Sequence, residues 1–259
     1  MVFLWAVLLA VIQGLTEFLP VSSSGHLALA QAYLKMEADL GDVVAFDVAL
    51  HLGTLIPVLI FYREDIKQLI QGGVHGQPGT RREIGFLMLA TVVTGAIGLG
   101  LREPLEGVFG QPRIVGFALL ITGVLLLTTR FRPEDGTRAW TIGLVVLIGL
   151  VQGLAITPGI SRSGSTIAIA LLAGVGRRDA ARFSFLISVP AIFGAALLEI
   201  TDLEADFAVA PALVGLVVAA LVGYVALDWL VRIIDRGKIW VFAPYVMILG
   251  CLAVMIGAP

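Results

Sequence analysis

The sequence predicts an all-α integral membrane protein built from two inverted-topology repeats, each a re-entrant helical hairpin followed by three transmembrane helices. Three observations lead there. Hydrophobic residues make up 58% of the 259 and charged residues only 14%, against roughly 45–50% and 25% in soluble domains, and the mean hydropathy is +0.99. The apolar residues fall in blocks of about 16 to 25, which suits helices crossing a hydrocarbon core of roughly 30 Å and not the alternation of a membrane barrel. Finally, IQGLTEFLPVSSSGH (12–26) aligns without gaps over VQGLAITPGISRSGS (151–165) at an offset of 139 residues, the mark of an internal repeat.

The elements follow in order within one membrane domain, 1–259. The first repeat covers about 1–130 and opens with a hairpin at about 2–34, in which apolar segments 2–18 and 22–34 flank a Pro/Ser/Gly break. Pro20 lacks an amide donor and disfavours helix at the residue before it. Three spans follow, at about 43–62, 84–101 and 114–129. The second repeat, 139–259, opens with a hairpin at about 140–175, broken at Pro158, and continues with spans at about 181–200, 207–231 and 239–257. Irregular backbone inside a membrane is tolerated only where protein buries it or water lines it. A hairpin returns the chain to its own side and three spans do not, so the halves are expected to be inverted.

Charge counting tests this topology independently. Loops on the side opposite the N-terminus hold 13 basic residues (Arg63, Lys67, Arg81, Arg82, Arg130, Arg132, Arg138, Arg177, Arg178, Arg182, Arg232, Arg236 and Lys238), and the N-terminal side holds 3, Lys35, Arg102 and Arg113. The positive-inside rule then puts the basic loops in the cytoplasm and both termini outside. Arg162 alone is left over. It lies in the second hairpin, which enters from the cytoplasm, while EFLPVSSSGH (17–26) lies in the first, which enters from outside. The two tips are expected to meet within the membrane.

Other classes drop out. No basic, aromatic-interleaved patch points to nucleic acid. Cys251 is the only cysteine, so no intramolecular disulfide forms. The N-terminus lacks the basic region of a cleaved signal peptide and reads as mature protein. Asp228 and Arg232, four residues apart, read as a pair at the cytoplasmic end of their span, and Glu199, Asp202, Glu204 and Asp206 as solvated loop charges. His75 belongs in solvent. The faces GAIGLGL (95–101) and FGAALL (193–198) read as close-packing surfaces, and small-residue faces of this kind suit a homodimer.

The polar residues of the two breaks are the candidate site. Intramembrane ionisable groups are functional candidates by default. Glu17 and Arg162 are natural neighbours; a structural ion pair pinning the hairpins together is one reading, and a polyanion site is the other. Gln13, Ser22, Ser23, Ser24, His26, Ser161, Ser163, Ser165 and Thr166 exceed what one pair needs and favour the polyanion. Gln13 and Glu17 share a helix face and can aim two oxygens at a hard divalent cation such as Mg²⁺ or Ca²⁺, although the same spacing suits a simple hydrogen-bonded pair. Gly25 and Gly164 follow serines and lead into helices, so each break offers free amides and a positive dipole end to phosphate oxygens. Arg162 supplies a planar five-donor fork, and His26 can serve as general acid or base. Asp47 and His51, also four apart, are supporting candidates.

QGLTEFLPVSSSGH and PGISRSGST, with FDVALHLGTL (46–55) and RFSFLISVPAIFGA (182–195), closely resemble the bacterial undecaprenyl-pyrophosphate phosphatase family associated with bacitracin resistance, over essentially the whole chain. The resemblance implies a multi-pass enzyme of the bacterial inner membrane that converts a C55 isoprenoid pyrophosphate to the monophosphate carrier lipid of cell-wall assembly, with its active site facing outside. It also implies a divalent metal on a Glu/Gln-x-x-x-Glu motif, here Gln13 and Glu17, a serine and histidine in P-x-S-S-x-G-H, here Ser23 and His26, and an arginine in P-G-x-S-R-S-G, here Arg162. Other members carry Glu where this chain has Gln13, which lowers the charge offered to the metal. On this reading Glu17 and Gln13 hold the cation. Arg162, Ser161, Ser163 and the loop amides cradle phosphate. Ser23 attacks the terminal phosphorus, and either His26 moves its proton or His26 itself attacks. The rival reading, from the shared architecture of inverted repeats with broken helices, is a carrier or flippase of a lipid phosphate or other anion.

Overall fold

A computed structural model describes residues 2–34, 43–106, 111–132, 136–200 and 209–257. Lys35, Asp202, Glu204 and Asp206 lie outside the described residues. Within them the chain is helical, with no β-strand. The first break separates α1 (Val2–Phe18) from α2 (Ser23–Leu34). There follow α3 (Val43–Phe61), α4 (Arg63–Val74), α5 (Pro78–Glu106) and α6 (Pro112–Thr128). The second break separates α7 (Ile142–Leu154) from α8 (Arg162–Leu172), and the chain ends with α9 (Arg177–Ile200), α10 (Val209–Asp235) and α11 (Ala243–Ile256).

Five helical segments among the described residues are long and apolar enough to cross a membrane, and α3 with α4, bent by 71°, makes a sixth if counted as one span. Large apolar side chains on their outer surfaces, such as Leu221 and Val225 at 67% exposure, have no place in water and fit acyl chains. The interior is smaller and closely packed: Phe18, Phe185, Leu119 and Ile148 are fully buried, with the Phe18 and Phe185 rings 5.8 Å apart.

Each helix that leads into a break packs on a long span of the other half. Helix α1 lies along α10, and α7 lies along α5. Glycines at matched repeat positions allow this approach. A Cβ on Gly14 would stand 2.9 Å from the Ala219 carbonyl oxygen, and one on Gly153 would stand 2.6 Å from Ile97 Cβ. Helix α6 packs on α2, α8 and α11, while α9 packs on α3 and α8.

Three features depart from the expected layout. The loop after the first span contains α4, which carries Glu64 and Asp65 in its first turn, where acids are favoured by the helix dipole. Its polarity put it among the loops in a hydropathy reading; its amphipathic face, with Leu69 buried, makes it a helix lying across the end of α3. Arg182 at the start of α9 ties this region together by pairing with Asp65 on α4 and Glu83 on α5. The small-residue faces only partly pack within the chain: Gly98 meets Ile156, whereas Gly95, Gly100 and Gly194 face open space. As the spacing predicts, Asp228 and Arg232 pair at 2.8 Å, and His75 is exposed. Cys251 is exposed as well.

Candidate active site

The two breaks cross at the centre of the fold. In the first, α1 stops at Phe18, and a tight turn from Val21 N to Leu19 O (2.7 Å) carries the chain to Ser22. Ser22 takes the left-handed φ of +70°, which costs a β-carbon-bearing residue of order 1 kcal/mol. Its hydroxyl oxygen accepts the amides of Gly25 (3.2 Å) and, across the interface, Gly159 (3.0 Å). In the second break Ser161 caps α8 by accepting from Gly164 N at 3.1 Å. Gly159, at φ +100°, is held from behind by Thr122 on α6, whose hydroxyl donates to Gly159 O (2.8 Å) and accepts from Ser161 N (3.0 Å). Ser163 donates to Phe18 O at 2.9 Å. The breaks fit because their glycines are bare. A Cβ on Gly25 would lie 2.9 Å from Gly159 N, and one on Gly164 would lie 3.0 Å from Pro20 Cβ.

This crossing brings Glu17 and Arg162, 145 residues apart, into a hydrogen-bonded ion pair, with the two side chains only 5% and 15% exposed. The other carboxylate oxygen of Glu17 accepts from the Ser23 hydroxyl (2.6 Å) and from Gln13 Nε2 (3.0 Å), and His51 Nε2 stands 3.7 Å away. A buried pair of this kind returns its desolvation loss only when the remaining valences are also satisfied. Two are not: Gln13 Oε1 and Arg162 Nη1 are buried without a hydrogen-bond partner. One is an acceptor and the other a cationic donor, so a ligand carrying both a cation and an anionic oxygen would complete the site. The N-termini of α2, beginning at Ser23, and α8, beginning at Arg162, open beside them and add two positive dipole ends.

Of the residues singled out in the sequence, Gln13, Glu17, Ser23, Arg162 and His51 share this cluster. Ser24 lies beside Ser22, with the hydroxyls 3.4 Å apart. Thr166 faces the other way; its hydroxyl bonds Arg162 O at 2.8 Å and Ser184 on α9. Ser165 is buried. Asp47 is held by Gln31 Nε2, 3.1 Å from each carboxylate oxygen, while the Asp47 carbonyl lies 2.8 Å from His51 Nδ1. His26 is engaged by the Ser22 carbonyl on Nδ1 and by the Tyr245 hydroxyl on Nε2, each at 2.7 Å. Thr122, Gln31 and Tyr245 were not foreseen, because each is a single polar residue in an apolar or neutral stretch whose partner lies far off in sequence.

The oxygen donors of Gln13 and Glu17 suit a hard cation, and the orphaned Gln13 Oε1 is the feature that fits one best. Among the described residues no group of three or more His, Cys, Asp or Glu forms a metal cage, so such a cation would draw the rest of its shell from substrate oxygens and water.

Comparison with known proteins places the whole chain. The family described as bacitracin resistance protein BacA matches residues 6–252. An undecaprenyl-diphosphatase of Desulfosudis oleivorans is 43% identical over 271 residues, covering 97% of both chains. One from Desulfatibacillum aliphaticivorans is 42% identical over 96% of both, and one from Korarchaeum cryptofilum 38% over 95% of both. A match this long, spanning both breaks and every span between them, means that the chain belongs to the bacitracin resistance protein BacA family.

Proposed function

We propose that the chain is a multi-pass membrane phosphatase that hydrolyses undecaprenyl pyrophosphate to undecaprenyl phosphate and inorganic phosphate, and that Glu17, Ser23 and Arg162 carry the reaction. The observation that supports these roles is the Ser23 hydroxyl donating to Glu17 at 2.6 Å while the same carboxylate holds Arg162. The diphosphate competes with Glu17 for Arg162, whose buried Nη1 is placed for a second phosphate oxygen in bidentate fashion. Once Arg162 turns to phosphate, the Glu17 carboxylate is freed to take the Ser23 proton. Ser23 Oγ then bonds the terminal phosphorus, the anhydride P–O bond breaks, and the lipid monophosphate leaves. Water hydrolyses the phosphoserine, releasing phosphate and returning the proton to Ser23. His26, a base through Nε2, takes the proton that the incoming water gives up. Ser23 is preferred to His26 as nucleophile because its hydroxyl already donates to the Glu17 carboxylate that would take its proton. The first amides of α2 and α8, with the Ser24 hydroxyl, face the phosphate end, whereas Gly25 N, Gly164 N and the Ser161 and Ser163 hydroxyls, expected there from the sequence, are engaged within the breaks. A divalent cation, when held by Gln13 Oε1 and Glu17, would neutralise diphosphate charge.

The finer architecture is part of the same proposal. Two inverted repeats are supported by the exchanged packing of α1 on α10 and α7 on α5. A bacterial inner-membrane location with both termini and the site facing outside is supported by the 13-to-3 distribution of basic residues. A homodimer is supported by the open faces at Gly95, Gly100 and Gly194.

The deciding experiment is phosphate release by purified protein in detergent, where there are no sides to transport between, with and without chelator. Release from undecaprenyl pyrophosphate that chelation removes and Mg²⁺ or Ca²⁺ restores is expected. Lipid flipping in vesicles without any release would establish the carrier reading instead.

A further inference from the structure

We propose that Tyr245 is a positioning residue for His26, holding the imidazole in the tautomer and orientation its proton-transfer role requires; the inference rests on that role. His26 Nδ1 lies 2.7 Å from the Ser22 carbonyl oxygen. A carbonyl only accepts, so Nδ1 carries a hydrogen and Nε2 of the neutral ring presents its lone pair. The Tyr245 hydroxyl, 2.7 Å from Nε2, therefore donates. The two rings also lie nearly parallel, at 16° with centroids 5.7 Å apart, so the hydroxyl meets Nε2 near the imidazole plane, where its lone pair lies. When Nε2 takes up a proton, the phenol oxygen offers lone pairs and accepts instead, so one group serves both charge states without moving the ring.

Packing alone does not explain this tyrosine. Helix α11 reads APYVMILGCLAVMI, and Tyr245 carries its only hydroxyl. The residue is half exposed, on a surface that an aliphatic side chain would cover as well. The spacing of the pair is set by α6, against which both α2 and α11 pack. The last helix thus reaches across 219 positions to the first break.

Tyr245→Phe keeps the stacked ring and removes the donor, and two readouts test it. In detergent with undecaprenyl pyrophosphate, kcat is expected to fall roughly tenfold, about what one orienting hydrogen bond supplies, with KM changed less than twofold. Independently of turnover, an unprotonated ring nitrogen attacks diethyl pyrocarbonate and is acylated by it. Acylation of His26, followed by site-resolved mass spectrometry, is expected to accelerate at least threefold in Tyr245→Phe, while His75 reacts as before. A Tyr245→Phe enzyme with kcat within twofold of the parent, or with unchanged His26 acylation, overturns the assignment. His26→Ala with full turnover would overturn the role of His26 and this inference with it; inactive His26→Ala beside unimpaired Tyr245→Phe would overturn Tyr245 alone.

Discussion

The breaks after α1 and after α7 share a backbone plan and divide the chemistry between them. Where the aligned residues agree, they build. Ser22 and Ser161 each accept the amide three residues on, at 3.2 and 3.1 Å. Gly25 and Gly164 each leave the space into which the opposite break fits, and Gly14 and Gly153 let the preceding helices lie against long spans. Where the aligned residues differ, polar groups collect. Glu17 stands where the second break has Ile156, Ser23 where it has Arg162, and His26 where it has Ser165. The difference shows how two breaks of similar plan can place an acid and a guanidinium face to face: each break needs to supply only one partner of the pair.

The sharpest way to break this comparison is to remove one half of the chemistry. Glu17→Ala, Arg162→Ala and Ser23→Ala should each lower phosphate release by roughly 1,000-fold or more, measured in detergent, as expected for groups that act at the reacting phosphorus. Arg162→Lys should recover little, because an ammonium cannot make the bidentate contact. Near-normal turnover in any of the three alanine variants would reduce the cluster to a structural pin.

A second test separates holding from chemistry. Either Glu17→Gln or Arg162→Gln alone leaves an unpaired buried charge, so each should lose about 3 kcal/mol of stability, read as a lowered Tm. The double variant should regain most of that Tm while remaining inactive. Equal Tm loss in the double variant would mean that the loss does not come from leaving one charge unpaired.

The shared scaffold predicts matched losses. Gly25→Ala and Gly164→Ala should each destabilise by about 1–3 kcal/mol, since the added methyl meets the opposite break. A tolerated alanine at only one of them would show that the two approaches are not equivalent. The smallest effect should fall on the capping serines. Ser161→Ala should cost about 1 kcal/mol, the usual value of an N-cap. Ser22→Ala should cost more, because the Ser22 oxygen also accepts Gly159 N from across the interface. Unfolding midpoints of the two variants compare them directly, and equal losses would deny Ser22 its bridging role.

Much of this was legible in advance. The positions of the spans and of both breaks follow from apolar block length and from Pro20 and Pro158, and the meeting of Glu17 with Arg162 follows from aligning the two motifs. Helix α4 was hidden by charge, although Ile66, Leu69 and the acids at 64 and 65 carried a helical signal. Gln13 was expected to face either a cation or Glu17. Its amide nitrogen bonds Glu17, as the hydrogen-bonded pair requires, while its oxygen lacks a partner. Tyr245 and Thr122 left no local signal, since a lone tyrosine or threonine in an apolar helix is equally at home facing lipid.

The sequence by itself determined that the chain is helical and membrane-embedded, and that its polar groups gather at two related breaks. The reason is that lipid rejects unsatisfied polar groups wherever they occur along the chain. Only the tertiary structure decided which atom meets which. The left-handed turn at Ser22, the bare backbone of Gly25 against Gly159, and the reach of Tyr245 to His26 all arise from helices packed at ångström precision, and such contacts join residues whose own neighbourhoods in the sequence carry no trace of one another.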